Sequence, residues 1–170
     1  MNVRGFLNSP SLRWVVFLIF AFGLIPGFWI TLNKDTNQLN GTVPISVGNL
    51  SKLEVLFLHN NQLSSLVPQE IGNLKLVVLQ LNTNHFTSSL PQNLCQSGSL
   101  QNLTAFNNQF IGPIPKTLRN CTSLFRVRLE GNLFFGNISE DFGVYNNLQY
   151  MDLSYNRFYG EISQNWSRCP

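Results

Sequence analysis

The sequence predicts an α/β repeat protein: a right-handed solenoid with a parallel β-sheet on its concave face and short 3₁₀ or helical turns on its convex side. Two observations support this prediction. Apolar residues follow the frame L-x-x-L-x-L, which ends three residues before an asparagine, as from Leu148 to Asn156. The frame recurs at steps of 23 or 24 residues, a period that indicates stacked units. Its asparagines are Asn61, Asn84, Asn108, Asn132 and Asn156, with a degraded copy at Asn37.

Each position of the frame has a structural role. The leucine positions point inward, and the residues between them face solvent, because side chains alternate along a strand. Successive strands then pair in parallel at roughly 4.8 Å and line a concave surface. The asparagine amide offers two donors and an acceptor to backbone groups that the turn leaves unpaired. This arrangement is the leucine-rich repeat solenoid.

The second half of each repeat carries a further apolar column and a turn. Short 3₁₀ or helical turns are expected at 69–73 and 116–120, after a proline whose fixed φ prevents a longer helix. One residue is missing near Lys75, where we expect a local kink without a break. The second apolar column contains Leu39, Leu63, Phe86, Phe110, Phe134 and Phe158.

Residues 1–30 form a separate segment. Arg4 and Arg13 precede a run of apolar residues at 14–30, and no further charge occurs until Lys34. This pattern predicts an N-terminal hydrophobic helix, either a cleaved signal peptide or an uncleaved signal anchor that spans the membrane. Both alternatives place the repeats outside the cell.

Residues 31–170 form the repeat array, with about five and a half repeats of 24 residues. No polar cap is recognisable at either end of the array. The array therefore has the features of part of a longer solenoid or of a truncated gene product.

Composition and motifs exclude several functions. A net charge of +3, with only 11% charged residues, is not the basic surface that nucleic acid requires. No G-x-S-x-G frame joins a nucleophile to a base, and His59 and His85 have no second ligand at metal spacing. We therefore expect no catalytic residue, no metal and no cofactor.

Three cysteines fit no zinc or C-x-x-C motif. Cys121 and Cys169 occupy leucine positions of the frame, which favours buried free thiols. A disulfide between Cys95 and Cys121 is the alternative in an oxidising compartment.

The outward strand positions supply the candidate binding residues. Exposed aromatic side chains beside arginine are typical of binding hot spots. Arg126 and Arg128 next to Tyr150 and Asp152 could hold an extended peptide that carries a carboxylate. The alternative is a solvated face with internal Arg128–Asp152 and Arg126–Glu130 pairs. The candidates are His59, Gln80, Asn82, Thr104, Phe106, Arg126, Arg128, Glu130, Tyr150 and Asp152.

Six N-x-S/T motifs are candidate glycosylation sites if the chain is secreted. One of them lies on a concave strand, where a glycan would cover part of the groove. Their asparagines are Asn40, Asn49, Asn102, Asn120, Asn137 and Asn165.

The segments G-P-I-P at 112–115 and G-N-L at 48–50 and 72–74 resemble the leucine-rich repeats of plant receptor-like kinases. The runs at 126–130, 136–145 and 160–166 are similar to the male-discoverer-interacting receptor-like kinase subfamily. The resemblance covers residues 37–170. It implies a cysteine-paired cap, a transmembrane helix and a cytoplasmic Ser/Thr kinase, yet the chain shows no recognisable cap and no G-x-G-x-x-G, H-R-D or D-F-G motif.

The predicted function is therefore recognition without chemistry, and the chain is not expected to be an enzyme. We expect an extracellular, receptor-like glycoprotein that binds a peptide or protein, with a co-receptor repeat domain as a further partner. The expected location is the plasma membrane through residues 1–30, or the apoplast if that segment is cleaved. The alternatives are a secreted inhibitor or scaffold and an inactive truncated receptor fragment.

Overall fold

The main element of the protein is a six-stranded parallel sheet to which every coil contributes one strand. The computed structural model describes residues 28–31, 39–162 and 166. Alternate strands of the described chain form this sheet in sequence order: β1 (Phe28–Thr31), β3 (Leu53–Phe57), β5 (Val78–Gln80), β7 (Asn102–Thr104), β9 (Arg126–Arg128) and β11 (Tyr150–Asp152).

The remaining strands form two smaller parallel sheets, here called the lateral sheets, which the sequence analysis does not predict. Except for the first, whose preceding turn lies outside the described residues, each lateral strand follows the asparagine turn of its repeat. The first lateral sheet contains β2 (Asn40–Gly41), β4 (Gln62–Ser65) and β6 (His85–Phe86). The second contains β8 (Ile111–Gly112), β10 (Leu133–Asn137) and β12 (Arg157–Tyr159).

Four short helical turns lie within the described parts of the coils. Two are 3₁₀ helices, Ile45–Asn49 and Gln69–Asn73. Two are single-turn α-helices, α1 (Lys116–Arg119) and α2 (Ile138–Asp141). A proline precedes three of these four turns, since its fixed φ suits a helix start and its missing N–H costs nothing there. The predicted turn at 69–73 matches the structure, and the turn at 116–120 ends one residue earlier.

The predicted leucine-rich repeat solenoid is confirmed. Residues one repeat apart pair in register along the main sheet, for example Leu103 with Val127 and Val127 with Met151. The short step near Lys75 leaves the sheet continuous, because Val55 pairs with Val78 across it.

The core is a column of inward side chains shared by all the coils. Leu79, Leu103 and Leu129 are fully buried, and burying each leucine contributes roughly 1.5–3 kcal/mol. The second column is aromatic over its last four members. Phe86, Phe110, Phe134 and Phe158 stack with ring centroids 5.6, 5.7 and 6.4 Å apart.

The five frame asparagines lie at the turns after the last five main-sheet strands and hydrogen bond across the joint between coils. Asn132 is representative. Its Nδ2 donates to the carbonyl oxygens of Leu129 (3.0 Å) and Glu130 (3.3 Å) in its own coil and Ala105 (3.0 Å) in the preceding one. Its Oδ1 accepts a hydrogen bond from the backbone N–H of Phe110, also in the preceding coil. These five asparagines, here called the asparagine ladder, therefore satisfy backbone groups within coils and connect each coil to the preceding one.

The N-terminal prediction falls mostly on residues that the structure does not describe. Residues 1–27 lie outside the described residues, so the predicted hydrophobic helix does too. Residues 28–30 belong instead to β1, which pairs with β3. Phe, Trp, Ile and Thr are all residue types enriched in strands, which accounts for the difference. Within the described ranges, no helix has the length and apolar character needed to cross a membrane.

The favoured prediction of a free thiol at Cys121 is wrong. Cys121 forms a disulfide with Cys95, and their Cα atoms are 5.9 Å apart. The two residues are 26 positions apart, more than one repeat, so the frame places them at unrelated positions. Cys95 adopts a positive φ of 70° in the turn before β7, a local geometry that the repeat pattern does not reveal. Cys169 lies outside the described residues.

Removing the disulfide should destabilise the array. We expect the double variant Cys95→Ala/Cys121→Ala to lose about 3 kcal/mol of unfolding free energy, because the crosslink closes a loop of about one repeat in the unfolded chain. Urea unfolding under oxidising conditions measures this loss. Reductant should lower the stability of the unsubstituted protein by the same amount and leave the double variant unchanged. Equal stability of the two oxidised proteins would contradict the prediction.

Candidate functional site on the concave sheet

Parallel pairing aligns the outward residues of the main sheet in columns. One column runs Val78, Asn102, Arg126 and Tyr150, and the next runs Gln80, Thr104, Arg128 and Asp152. Backbone hydrogen bonds extend the alignment past the strand ends and add a third column of Asn82, Phe106, Glu130 and Ser154. Neighbouring members belong to adjacent strands, so an extended partner could contact several coils at once.

Arg128 is held in place by two neighbours. Its guanidinium carbon lies 3.9 Å from the centre of the Phe106 ring, within the range of a cation–π interaction. Its Nη2 also pairs with the Glu130 carboxylate. The alternative of a solvated face named Arg128–Asp152 and Arg126–Glu130 pairs, and the salt bridge present among the described residues is Arg128–Glu130 instead. Arg128 and Glu130 are two residues apart on one face, which makes this pairing local.

Arg126 is the less restrained of the two arginines. It is exposed, and its guanidinium carbon lies 5.3 Å from the centre of the Tyr150 ring on the adjacent strand. Within the described part of the chain, the one salt bridge is that of Arg128, so Arg126 has no carboxylate partner there. Tyr150 is 43% exposed. Together these two residues present a cation and an aromatic surface to solvent.

Asp152 completes the cluster as a fixed negative charge. The hydroxyl of Ser154 donates to its Oδ1 at 2.7 Å and the Ser154 backbone N–H donates at 3.0 Å. These hydrogen bonds, with the positive charge of Arg128, hold the pKa of the Asp152 carboxyl below its usual value. Asp152 therefore stays ionised at neutral pH beside Arg126 and Arg128.

Other predicted site residues are buried. Asn82 and Thr104 are only 8% and 6% exposed, and the Thr104 hydroxyl donates to Asn82 Oδ1 at 2.9 Å. The two side chains bond each other across adjacent coils and are buried, so the prediction that both face solvent is wrong. Period-two alternation gives the direction of a side chain but not the depth of the groove, which causes this error.

The remaining candidates lie toward the N-terminal strands. Gln80 is half-buried. The ring of His59 meets the ring of Phe57 edge-on at 5.9 Å, and burial lowers the pKa of its imidazole. His59 is therefore neutral at pH 7 and adds no charge to the surface. The cluster of charged and aromatic residues thus belongs to the last coils, where Arg126 and Tyr150 are exposed and the others are half-buried: Phe106, Arg126, Arg128, Glu130, Tyr150 and Asp152.

Sequence reasoning missed exposed apolar residues on the second lateral sheet. Ile111, Leu133, Phe135 and Tyr159 are 47, 36, 49 and 64% exposed. Alternation around the buried Phe134 could have revealed Leu133 and Phe135, because the residues on either side of an inward position point outward. The repeat frame assigns these positions no role.

The Leucine Rich Repeat family model matches residues 52–74 and 147–169. No match exists among curated protein sequences. A solved structure of a TDR receptor is similar at 38% identity and a TM-score of 0.74, over 79% of this chain and 23% of that one. The Arabidopsis receptor kinase HAESA, solved with the peptide hormone IDA and the co-receptor SERK1, is 37% identical with a TM-score of 0.71. That match covers 75% of this chain and 22% of HAESA.

The chain thus spans less than a quarter of the length of these two receptors. It covers more of a shorter relative. The ectodomain of the receptor kinase SOBIR1 from Arabidopsis thaliana is 30% identical with a TM-score of 0.59, over 79% of this chain and 71% of SOBIR1. The chain therefore belongs to the leucine-rich repeat family of plant receptor kinase ectodomains.

Proposed function

We propose that this chain is an extracellular binding module that recognises a peptide or protein partner through the concave surface of its last coils. The observation that carries the proposal is the exposed Arg126–Tyr150 pair beside the fixed charges of Arg128 and Asp152. Arginine and tyrosine are the residue types enriched in binding hot spots. HAESA, a receptor kinase to which this chain is similar, has been solved in complex with a peptide hormone.

The partner chemistry follows from the charges of the cluster. Arg126 lacks a carboxylate partner among the described residues, so it is the group available for a carboxylate on the ligand. Arg128 is engaged by Phe106 and Glu130 and acts mainly as a positioning residue. An extended peptide with a carboxylate over Arg126 and an apolar side chain against Tyr150 fits both features.

Several finer assignments belong to the same proposal. The residues at 126–130 and 136–145 support membership of the male-discoverer-interacting receptor-like kinase subfamily. The N-terminal apolar run supports entry to the secretory pathway and attachment to the plasma membrane. A co-receptor repeat domain, as in the HAESA complex with SERK1, is the proposed second partner.

Arg126→Ala should abolish most peptide binding while the fold is retained. The probe is a library of synthetic peptides with free carboxyl termini, attached through their amino ends, and binding to the full chain is measured by surface plasmon resonance. We expect at least a tenfold loss of affinity, about 1.4 kcal/mol, for the enriched peptides. Arg157→Ala, which removes an exposed arginine from a lateral strand, is the matched control and should bind normally.

Two results would contradict the proposal. One is equal peptide binding by the Arg126→Ala variant and the unsubstituted protein. The other is a chain that binds no library peptide. Inhibition of a wall-degrading hydrolase by such a chain would favour the alternative of a secreted inhibitor.

A further inference from the structure

A cleft of about 310 Å³ lies where two coils meet, beside one of the N-x-S/T motifs. Asn120 and Thr122 line it on one side, and Phe142, Gly143 and Val144 line it on the other. Its volume is at the lower end of the roughly 300–1,000 Å³ typical of small-molecule sites. The cleft is outside the concave surface, since Asn120 precedes β9 at the flank of the sheet.

The walls of the cleft are fixed by specific contacts. The Tyr145 hydroxyl donates to the carbonyl oxygen of Leu118 at 3.0 Å and accepts from the Gly143 N–H at 3.2 Å. Tyr145 is 1% exposed. At Gly143, a Cβ atom would overlap the carbonyl oxygen of Arg119, so glycine permits the close approach of the two coils. The cleft is therefore a preformed feature of this joint.

Asn120 is the best-placed glycan acceptor among the motifs near the C-terminal coils. It is exposed, it caps the C-terminal end of α1, and its side chain has no hydrogen bond within the described part of the chain. Asn137 has the same motif, but its Nδ2 donates to Glu140 at 3.0 Å and its Oδ1 accepts from the Ser139 N–H. Asn102 is half-buried in a strand of the main sheet.

We propose that Asn120 carries an N-linked glycan whose first N-acetylglucosamine lies in this cleft against Phe142, Gly143 and Val144. A sugar linked to Asn120 starts at the mouth of the cleft and needs no rearrangement of the fold to enter it. Asn137 would have to give up its hydrogen bond to Glu140, and Asn102 is half-buried in the main sheet. The glycan would stand at the flank of the solenoid and leave Arg126 and Tyr150 open to a partner.

The chemistry is the transfer of an oligosaccharide from a lipid diphosphate donor in the secretory pathway. A bond forms between Asn120 Nδ2 and the anomeric carbon of the sugar, and the bond from that carbon to the diphosphate oxygen breaks. The lipid diphosphate leaves, and the amide nitrogen loses a proton to the transferase. The proposal rests on the extracellular location proposed above, because the donor is not available elsewhere.

Site occupancy in the full chain, expressed in plant cells, tests the modification. Peptides are released from the purified protein, deglycosylated in heavy-oxygen water and analysed by mass spectrometry. We expect a glycan at Asn120 in the unsubstituted protein and in Thr122→Ser, which keeps the motif. Thr122→Ala, which removes the motif but leaves Asn120 in place, should lose the glycan from this peptide.

The other motifs make the outcomes distinguishable. Glycans at the exposed Asn40 or Asn49 with none at Asn120 would overturn this proposal and leave the extracellular location standing. The absence of a glycan from every motif would overturn both the Asn120 proposal and the proposed extracellular location. Hydrogen exchange at Gly143 and Val144 tests the seating of the sugar. Exchange should be slower in Thr122→Ser than in Thr122→Ala and stay slow after trimming to the first sugar, and equal rates would overturn the seating.

Discussion

Replacing Phe110 with alanine is expected to lower the free energy of unfolding by roughly 3–5 kcal/mol, the cost of deleting a fully buried aromatic ring. Phe110 is 0% exposed and stacks between Phe86 and Phe134. Its removal leaves a void that faces two coils, and the stacked rings on both sides lose their neighbour. Urea unfolding followed by circular dichroism measures the loss.

The control for this variant is Phe125→Ala. Phe125 is 38% exposed, so its removal should cost less than about 1.5 kcal/mol. If the two variants were equally stable, the aromatic column would not hold the coils together. Because stability in a solenoid is nearly a sum over neighbouring coils, the Phe110 variant should also unfold in a less cooperative transition.

The variant Asn132→Asp is expected to lose about 3–5 kcal/mol, although the two side chains have almost the same shape. The carboxylate keeps an acceptor for the Phe110 N–H but has no donor for the carbonyl oxygens of Ala105, Leu129 and Glu130. It also places a negative charge against those three oxygens at a buried position, 6% exposed.

Asn146→Asp is the matched control for the ladder variant, because Asn146 is exposed and lies outside the ladder. It adds the same charge and should change stability by about 0.5 kcal/mol or less. Guanidinium titration of both variants gives the unfolding free energies to be compared. A ladder variant no less stable than Asn146→Asp would mean that the asparagine hydrogen bonds do not stabilise the joint.

The sequence predicts the parts of this fold that repeat. Leu103, Val127 and Phe134 can be assigned inward positions from spacing alone, because a period fixes both neighbours and direction. The lateral sheets are not predicted, since their strands lie outside the L-x-x-L-x-L frame and that frame assigns their outward positions no role. The frame favours a free thiol over the disulfide, because it puts Cys121 at a leucine position and gives Cys95 no matching one.

The candidate site was predicted less completely than the fold. Arg126 and Tyr150 follow from the period, since both occupy the same outward column. The burial of Asn82 with Thr104, and the choice of Glu130 as partner of Arg128, depend on side-chain conformations and groove depth. Those quantities are set by neighbouring coils, and a repeat frame does not contain them.

The asparagine ladder has a consequence for how such arrays change length. From Asn84 onward each of its asparagines bonds to the preceding coil in the same two ways, as Asn132 does to Ala105 and Phe110. At the ladder, consecutive joints are then chemically alike, so the asparagine hydrogen bonds would form again if a whole 24-residue unit were duplicated or deleted in a gene. The number of repeats can then vary. The residues in each outward column are what selection must maintain.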